Sequence, residues 1–317
     1  MTEFVTTQYG DRVAFDRYEG AGDPAARHEP ADTQNGASDT AAGPATERAP
    51  GDNAVGRAPV VVFVRGVGPT RAFDGDTRQT AEALAAAGVT AIVYDRVGRG
   101  ESAVPEGDGD GNADGEGGDA PSGPITLQRE LAAIDALITT AGGGAVLCGH
   151  SSGCTIALAA ASAGLPVTGL VLWEAPLGGI TGGTQAWADE IARRVASGDR
   201  EGALVHYMKD MPPEWLDGAR RSPMFAGMVA QVGSQVPDAE SLAWADSAPL
   251  PELVGGLAIP VEAVYGEQTQ PIMVTAAQAI AAAIPGATAK RMPGANHSWQ
   301  PAAMAAALAA LARAARP

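Results

Sequence analysis

Residues 145–163 read Ala145-Val146-Leu147-Cys148, then Gly149-His150-Ser151-Ser152-Gly153, then an Ala/Leu-rich run from Cys154 to Ala163. The first four are a short apolar run of the kind a buried strand uses, and the last ten are helix formers. A Gly-x-Ser-x-Gly pentapeptide alone is common in a chain with 41 glycines. Between a strand and a helix it means more: a serine on so sharp a bend takes a strained backbone conformation and needs small neighbours. Gly149 and Gly153 supply that room, leaving the Ser151 hydroxyl exposed at the carboxyl edge of a sheet. The bland alternative is a structural turn; the flanking elements favour a nucleophile.

Outward from this bend the chain alternates strand and helix. Glu3 to Gln8 and Arg12 to Arg17, joined at Tyr9-Gly10-Asp11, read as a β-hairpin. Val60 to Val64 is an unbroken apolar run, expected of a strand buried on both faces. A helix from Arg78 to Ala87, closed by Gly88, precedes a strand from Thr90 to Tyr94. Thr126 to Thr140 places Leu127, Leu131, Ile134, Leu137 and Ile138 on one helical face. Beyond the bend follow a strand Gly169 to Trp173, a strand Ile259 to Tyr265, a helix Val274 to Ile284, a strand Ala287 to Met292 and a helix Ala302 to Ala315. This order predicts an α/β domain with a mostly parallel central sheet flanked by helices. Residues 1–176 form the first part of its core and 257–317 the second. Residues 177–256 break the alternation with helical pieces at 184–196, 201–208 and 213–221, and read as a helical lid inserted after the sixth strand. Trp215, Met208, Met211 and Phe225 are its candidate substrate contacts, although for any one of them packing within the lid is the plainer reading.

The net charge of −16 belongs mostly to two segments. Residues 19–58 carry −4 and residues 106–123 carry −6. Both are rich in Gly, Ala, Asp and Pro and read as flexible, solvated inserts. The mildly acidic remainder argues against nucleic acid. There is no apolar run of transmembrane length and no signal-like start, so a cytoplasmic chain that does not bind membrane is expected. Cys148 and Cys154 read as small buried core residues rather than a disulfide or metal site. Oligomeric state is left open, a homo-oligomer included.

A serine nucleophile needs a base, and the base an orienting group. Of four histidines, His28 lies in the first insert, His150 adjoins the nucleophile but points away, and His206 falls in the lid. His297 follows the last core strand at the same sheet edge as Ser151, and is the expected general base.

This set resembles the α/β-hydrolase family over nearly the whole chain outside the inserts. The matching pieces are the hairpin, Arg65-Gly66-Val67-Gly68 after the third strand, Asp95-x-x-Gly98-x-Gly100-x-Ser102 after the fourth, the elbow at Ser151, and Gly294-x-x-His297. The resemblance implies an oxyanion hole built from the backbone N–H of Ser152 and of Gly66 or Val67. Where the family often has His before that Gly, this chain has Arg65, for which a structural ion pair is the plainer reading. The family usually places its acid after the seventh strand, where this chain reads Tyr265-Gly266-Glu267-Gln268-Thr269, with Thr269 at the expected position. A minority place it after the sixth strand, which here ends Leu172-Trp173-Glu174. Glu174 is therefore the expected acid and Glu267 the alternative. The late Glu, the Ser-Ser elbow and the Gly-Val-Gly loop look most like hydrolases of resorcylic macrolactones such as the zearalenone lactonases.

The resemblance implies a serine hydrolase that cleaves a carboxylic ester or lactone of a small apolar substrate through an acyl-enzyme, with no metal and no organic cofactor. The same triad also serves perhydrolases and carbon–carbon bond hydrolases. A hydrolase scaffold retained as a non-catalytic small-molecule binder is the remaining alternative.

Overall fold

Apolar runs with alternating faces dictate the architecture. The computed structural model describes residues 1–20, 58–68, 70–102 and 123–315. The sheet begins with β1 (Thr2–Thr6), β2 (Arg12–Tyr18) and β3 (Val60–Arg65), followed by α1 (Gly75–Ala86) and β4 (Thr90–Tyr94). Then come α2 (Leu127–Thr140), β5 (Ala145–His150), α3 (Gly153–Ser162) and β6 (Val167–Trp173). The insertion comprises α4 (Thr184–Ala196), α5 (Arg200–Tyr207), α6 (Pro213–Arg221), α7 (Phe225–Ala230) and α8 (Val236–Ala245). A short α9 (Leu250–Val254) leads into β7 (Val261–Gln268), α10 (Pro271–Ala283), β8 (Thr288–Ala295), β9 (Ser298–Trp299) and α11 (Pro301–Ala314). His28 and the acidic stretches read at 19–58 and 106–123 lie outside the described residues, apart from positions 19, 20, 58 and 123.

The strands order β1-β2-β4-β3-β5-β6-β7-β8-β9. From β3 to β8 neighbours run parallel, while β1, β2 and β9 add antiparallel edges. Since β4 lies to one side of β3 and β5 to the other, strand order reverses at β3. That reversal opens a crevice outside the carboxyl ends of β3 and β5, where ligands bind in open α/β sheets. Arg65 pairs with His150 there, so the loops after both strands emerge side by side.

Alternation along β3 assigns the layers. Val61 and Phe63 pack with Leu84 of α1 and Met304 and Leu308 of α11. Val60, Val62 and Val64 face the opposite way, with Ile134 of α2, Ile156 of α3 and Ile280 of α10. Cys148 and Cys154 are buried free thiols in opposite layers, as their setting predicts. Helix α1 starts three residues before the predicted Arg78, because Asp74 accepts from the Thr77 N–H at 3.1 Å and caps it. Helices α4, α5 and α8 share a separate core around Trp187, Ile191, Leu204 and Leu242. Helix α8 also rests on α2 and α3. By contrast, α6 and α7 contain no buried residue. Helix α9 falls within the stretch assigned to the insertion, yet its Val254 belongs to the core beneath the sheet. No helix among the described residues is long and apolar enough to cross a membrane.

The close approach at the bend explains its glycines. A Cβ on Gly153 would overlap the Val64 carbonyl, and one on Gly149 would sit 2.7 Å from Cys154 Cα. Backbone meets backbone in both places, so nothing can yield cheaply. Gly153→Ala should therefore destabilise by about 3 kcal/mol or more. Gly218→Ala, in the exposed helix α6 with nothing near its Cβ, should stabilise by about 0.5–1 kcal/mol. Urea denaturation of both variants measures the contrast.

Candidate active site

The bend at the end of β5 puts Ser151 in the left-handed region at φ 56°. Its N–H donates to the Trp173 carbonyl at 2.9 Å, and its own carbonyl accepts from the Cys154 N–H at 2.9 Å. Among the described residues, the non-glycine positions with positive φ are Ser151, Glu174, Asn296 and His297. Each such conformation costs about 1–3 kcal/mol and persists only where its surroundings enforce it. Backbone strain thus gathers on the three residues that the sequence nominates, plus one neighbour.

Glu174 follows β6 directly and is 2% exposed. Its Oε1 accepts the Gly266 N–H at 2.9 Å, and its Oε2 lies 2.5 Å from His297 Nδ1. Burial pushes this carboxyl up, but the bonds from His297 and the Gly266 N–H, with the Thr269 hydroxyl nearby, outweigh it and hold the pKa below the ordinary glutamate value. Thr269 lies close to the carboxylate and favours its charge, although its buried Oγ1 completes no hydrogen bond. That is the position where the resemblance led one to expect the acid.

His297 sits on the turn between β8 and β9, over a bed of aromatic rings. Its carbonyl accepts from His150 Nε2 at 2.9 Å and from Trp173 Nε1 at 3.2 Å. The two imidazole centroids are 4.7 Å apart. Burial first, then Arg65 and His297, hold the His150 pKa far below the usual histidine range, so its ring is neutral. Donation from Nε2 leaves His150 Nδ1 bare, and that buried atom has no partner. His150 does point away from the nucleophile, and it ties down the loop carrying the base. The bond from His297 Nδ1–H to Glu174 leaves His297 Nε2 free for the serine.

Ser151 and His297 line one cavity of about 140 Å³, with Trp187, Tyr207, Met211 and Trp215 around it. It adjoins an opening of about 350 Å³ that shares Trp215, Gln270, Met273 and His297. Of the four nominated substrate contacts, Met211 and Trp215 reach the cavity and Met208 and Phe225 do not. Met208 caps α5 and turns inward, 9% exposed, into the insertion's own core, where Phe225 also packs. Glu267 is exposed. A register shift in β7 between Gly266 and Gln268 turns it to a different surface, beside Asp76 and Gly294. It does not meet His297.

Around the proposed oxyanion hole, Gly66 approaches Ser152 so closely that a Cβ would sit 2.6 Å from the Ser152 hydroxyl. The N–H groups of Val67 and Ser152 donate to no described residue. Ser152 also caps α3, whose N-terminal dipole favours developing negative charge. Arg65 pairs with Asp74 at 2.7 Å, the structural ion pair expected of it. Sequence reasoning missed Arg96, Arg99 and Asp238, which form a buried ionic cluster behind this loop. Two arginines in a turn of structural glycines were the visible signal, but their partner lies about 140 residues away.

A model of the alpha/beta hydrolase family matches residues 61–311. An alpha/beta hydrolase from Sphaerobacter thermophilus shares 24% identity over 98% of this chain and 99% of its own, with a TM-score of 0.67. A thermophilic esterase from Thermogutta terrifontis is 16% identical over 100% of both chains, TM-score 0.58. An enol-lactonase from Burkholderia xenovorans is 17% identical over 93% of each, TM-score 0.50. These likenesses show a shared fold. None of the curated proteins matches the sequence.

Two measurements check the site's physics without assaying activity. Ser151→Gly should be more stable than Ser151→Ala by about 1 kcal/mol, because only glycine relaxes in the left-handed region. Equal stability would show that the bend is unstrained. A carboxyl depressed in the folded state contributes stability that is complete above its unfolded pKa of about 4.3. That contribution is lost as pH falls toward the folded value. The stability gap between wild type and Glu174→Gln should therefore be widest near neutrality and close below about pH 4.

Proposed function

This chain belongs to the alpha/beta hydrolase family, and on that premise we propose that Ser151, His297 and Glu174 act as a catalytic triad cleaving carboxylic esters or lactones of small, uncharged, apolar acyl groups. The observation that carries this reading is the short His297–Glu174 contact beside a cavity that Ser151 and His297 share. Ser151 Oγ attacks the carbonyl carbon as its proton passes to His297 Nε2. Negative charge on the carbonyl oxygen meets the N–H groups of Ser152 and of Val67 or Gly66. Collapse of that adduct expels the alcohol, which takes the proton from His297 and leaves an acyl-serine. Water, deprotonated by His297, then releases the acid. Glu174 stays ionised throughout; it holds the imidazole tautomer and stabilises the imidazolium.

Ile180, Trp187, Met211 and Leu242 supply an apolar wall. The acidic residue at its margin, Asp210, already engages Lys209 at 2.6 Å and Thr181, and it disfavours anionic substrates. The smaller cavity suits a short acyl group, and the larger opening with Gln268, Gln270 and Asn296 suits the alcohol half. A macrolactone would have to span both spaces. Here the insertion serves as a lid in two parts. Helices α4, α5 and α8 form its packed base, while α6 and α7, without buried residues, form the part that admits substrate. Trp215 on α6 lies 6.3 Å from the His297 ring and closes the site over it.

A fluorophosphonate probe should label the wild type and not Ser151→Ala. An unlabelled wild type would point instead to a binding protein on a hydrolase scaffold. With p-nitrophenyl esters, Glu174→Gln should lose about 100-fold or more in kcat while Glu267→Gln changes little; the reverse ranking would move the acid to Glu267. Trp215→Ala should raise KM more than it lowers kcat. A panel running from acetate esters through small lactones to macrolactones reads the size limit directly.

A further inference from the structure

We propose that Asp238, brought in by the insertion, is a positioning residue that sets both halves of the oxyanion hole; this rests on the serine-hydrolase reading above. Asp238 lies in the first turn of α8 and is 0% exposed. Its Oδ1 accepts from the Ser152 hydroxyl at 2.6 Å and from Arg96 Nη1 at 2.7 Å. Its Oδ2 accepts from Arg99 Nη2 at 3.0 Å. Each arginine also holds a backbone carbonyl where β3 passes into its loop: Arg96 Nη1 donates to Arg65 O at 3.0 Å, and Arg99 Nη1 to Gly66 O at 2.7 Å. One carboxylate thus grips the residue after the nucleophile directly and the facing loop through two guanidinium groups.

Peptide geometry turns that grip into aim. In a trans peptide the C=O and the following N–H point in opposite directions, and the described chain has no cis bond. Anchoring Gly66 O on Arg99 therefore fixes the direction of the Val67 N–H. Neither that N–H nor the Ser152 N–H donates to a described residue. They form the pair that a developing oxyanion would use.

Stability alone does not account for the cluster. Burying an ion costs several kcal/mol, and apolar side chains of the same volume fill such a space as well or better. Arg96 is 2% exposed and Glu130 0%, and a second ion pair at 3.2 Å joins them. Tyr94 donates to Glu130 at 2.7 Å. The arrangement anchors the base of the insertion and couples that anchorage to the hole, so that docking of α8 completes the catalytic apparatus.

The test compares Asp238→Asn with wild type on a neutral ester and with a boronic acid, which forms a tetrahedral anionic adduct on the serine. If Asp238 positions the hole, kcat falls about 10- to 100-fold while KM holds. Boronate affinity then weakens by the same factor as kcat/KM, and the melt stays cooperative. Wild-type kcat/KM in a folded Asp238→Asn overturns the inference, as does a loss of rate with unchanged boronate affinity. If that variant does not fold, Ser152→Ala decides. It removes the hydroxyl's contacts with Asp238 and with Tyr207, keeps the backbone N–H and both arginine pairs, and should lower kcat and boronate affinity together by about 3- to 10-fold. Ser152→Ala at wild-type values overturns the proposal. A wild type that neither turns over esters nor takes the fluorophosphonate marks failure of the hydrolase reading itself, and the inference falls with it.

Discussion

The parallel pairing of β3 with β5, Arg65 beside His150, is the constraint on which the rest depends. Parallel neighbours deliver their carboxyl ends to the same edge, and the reversal of strand order at β3 leaves that edge open. A glycine loop from one strand and a serine bend from the other then emerge a few ångströms apart. Gly66 and Gly153 are needed because the two backbones nearly touch. Everything else in the proposed mechanism is hung from this junction. Trp173 at the end of β6 receives the Ser151 N–H, and Glu174 follows one residue later.

Strain is concentrated where the chemistry is proposed. Ser151, Glu174 and His297 each occupy the left-handed region, and each is held there by hydrogen bonds that a relaxed backbone would lose. The Ser151 and Glu174 N–H groups bond to carbonyls of neighbouring strands, at Trp173 and Val264. The His297 carbonyl is pinned by two buried ring N–H donors. Sheet edges turn sharply in most α/β domains; here the turns place Ser151 and Glu174 in two adjoining cavities that share His297.

The insertion contributes in two physically different ways. Its packed base sends Asp238 into the core, where a carboxylate meets two arginines that water does not reach. Its loose outer helices carry Trp215 over the imidazole. The anchored base holds the loop behind the serine through Arg96 and Arg99, while the outer helices contain no buried residue. Met211 and Trp215 line the cavity, whereas Met208 belongs to the insertion's own core and Phe225 packs, half-buried, against it.

Much was legible in the residues themselves. Apolar periodicity located nearly every strand and helix of the core, because burial on one or both faces imposes the repeat directly on neighbouring positions. The bend at Ser151 and the late His297 were legible because their signals are local: small residues at a tight turn, and an imidazole just past a strand. Glu174 was preferred to Glu267 from its place at a strand end; that Glu174 reaches His297 while Glu267 faces another surface goes with a bulge in β7 that no run of letters announces. Asp238 was invisible for a stronger reason. A lone carboxylate in the insertion looks like any solvated acid until folding brings it to Arg96 and Arg99, some 140 residues away in the chain. Sequence alone determined the elements and the sharp bend that carries Ser151, since those depend on neighbours along the chain. Only tertiary structure decided which charges are buried and what they hold, since that depends on neighbours through space.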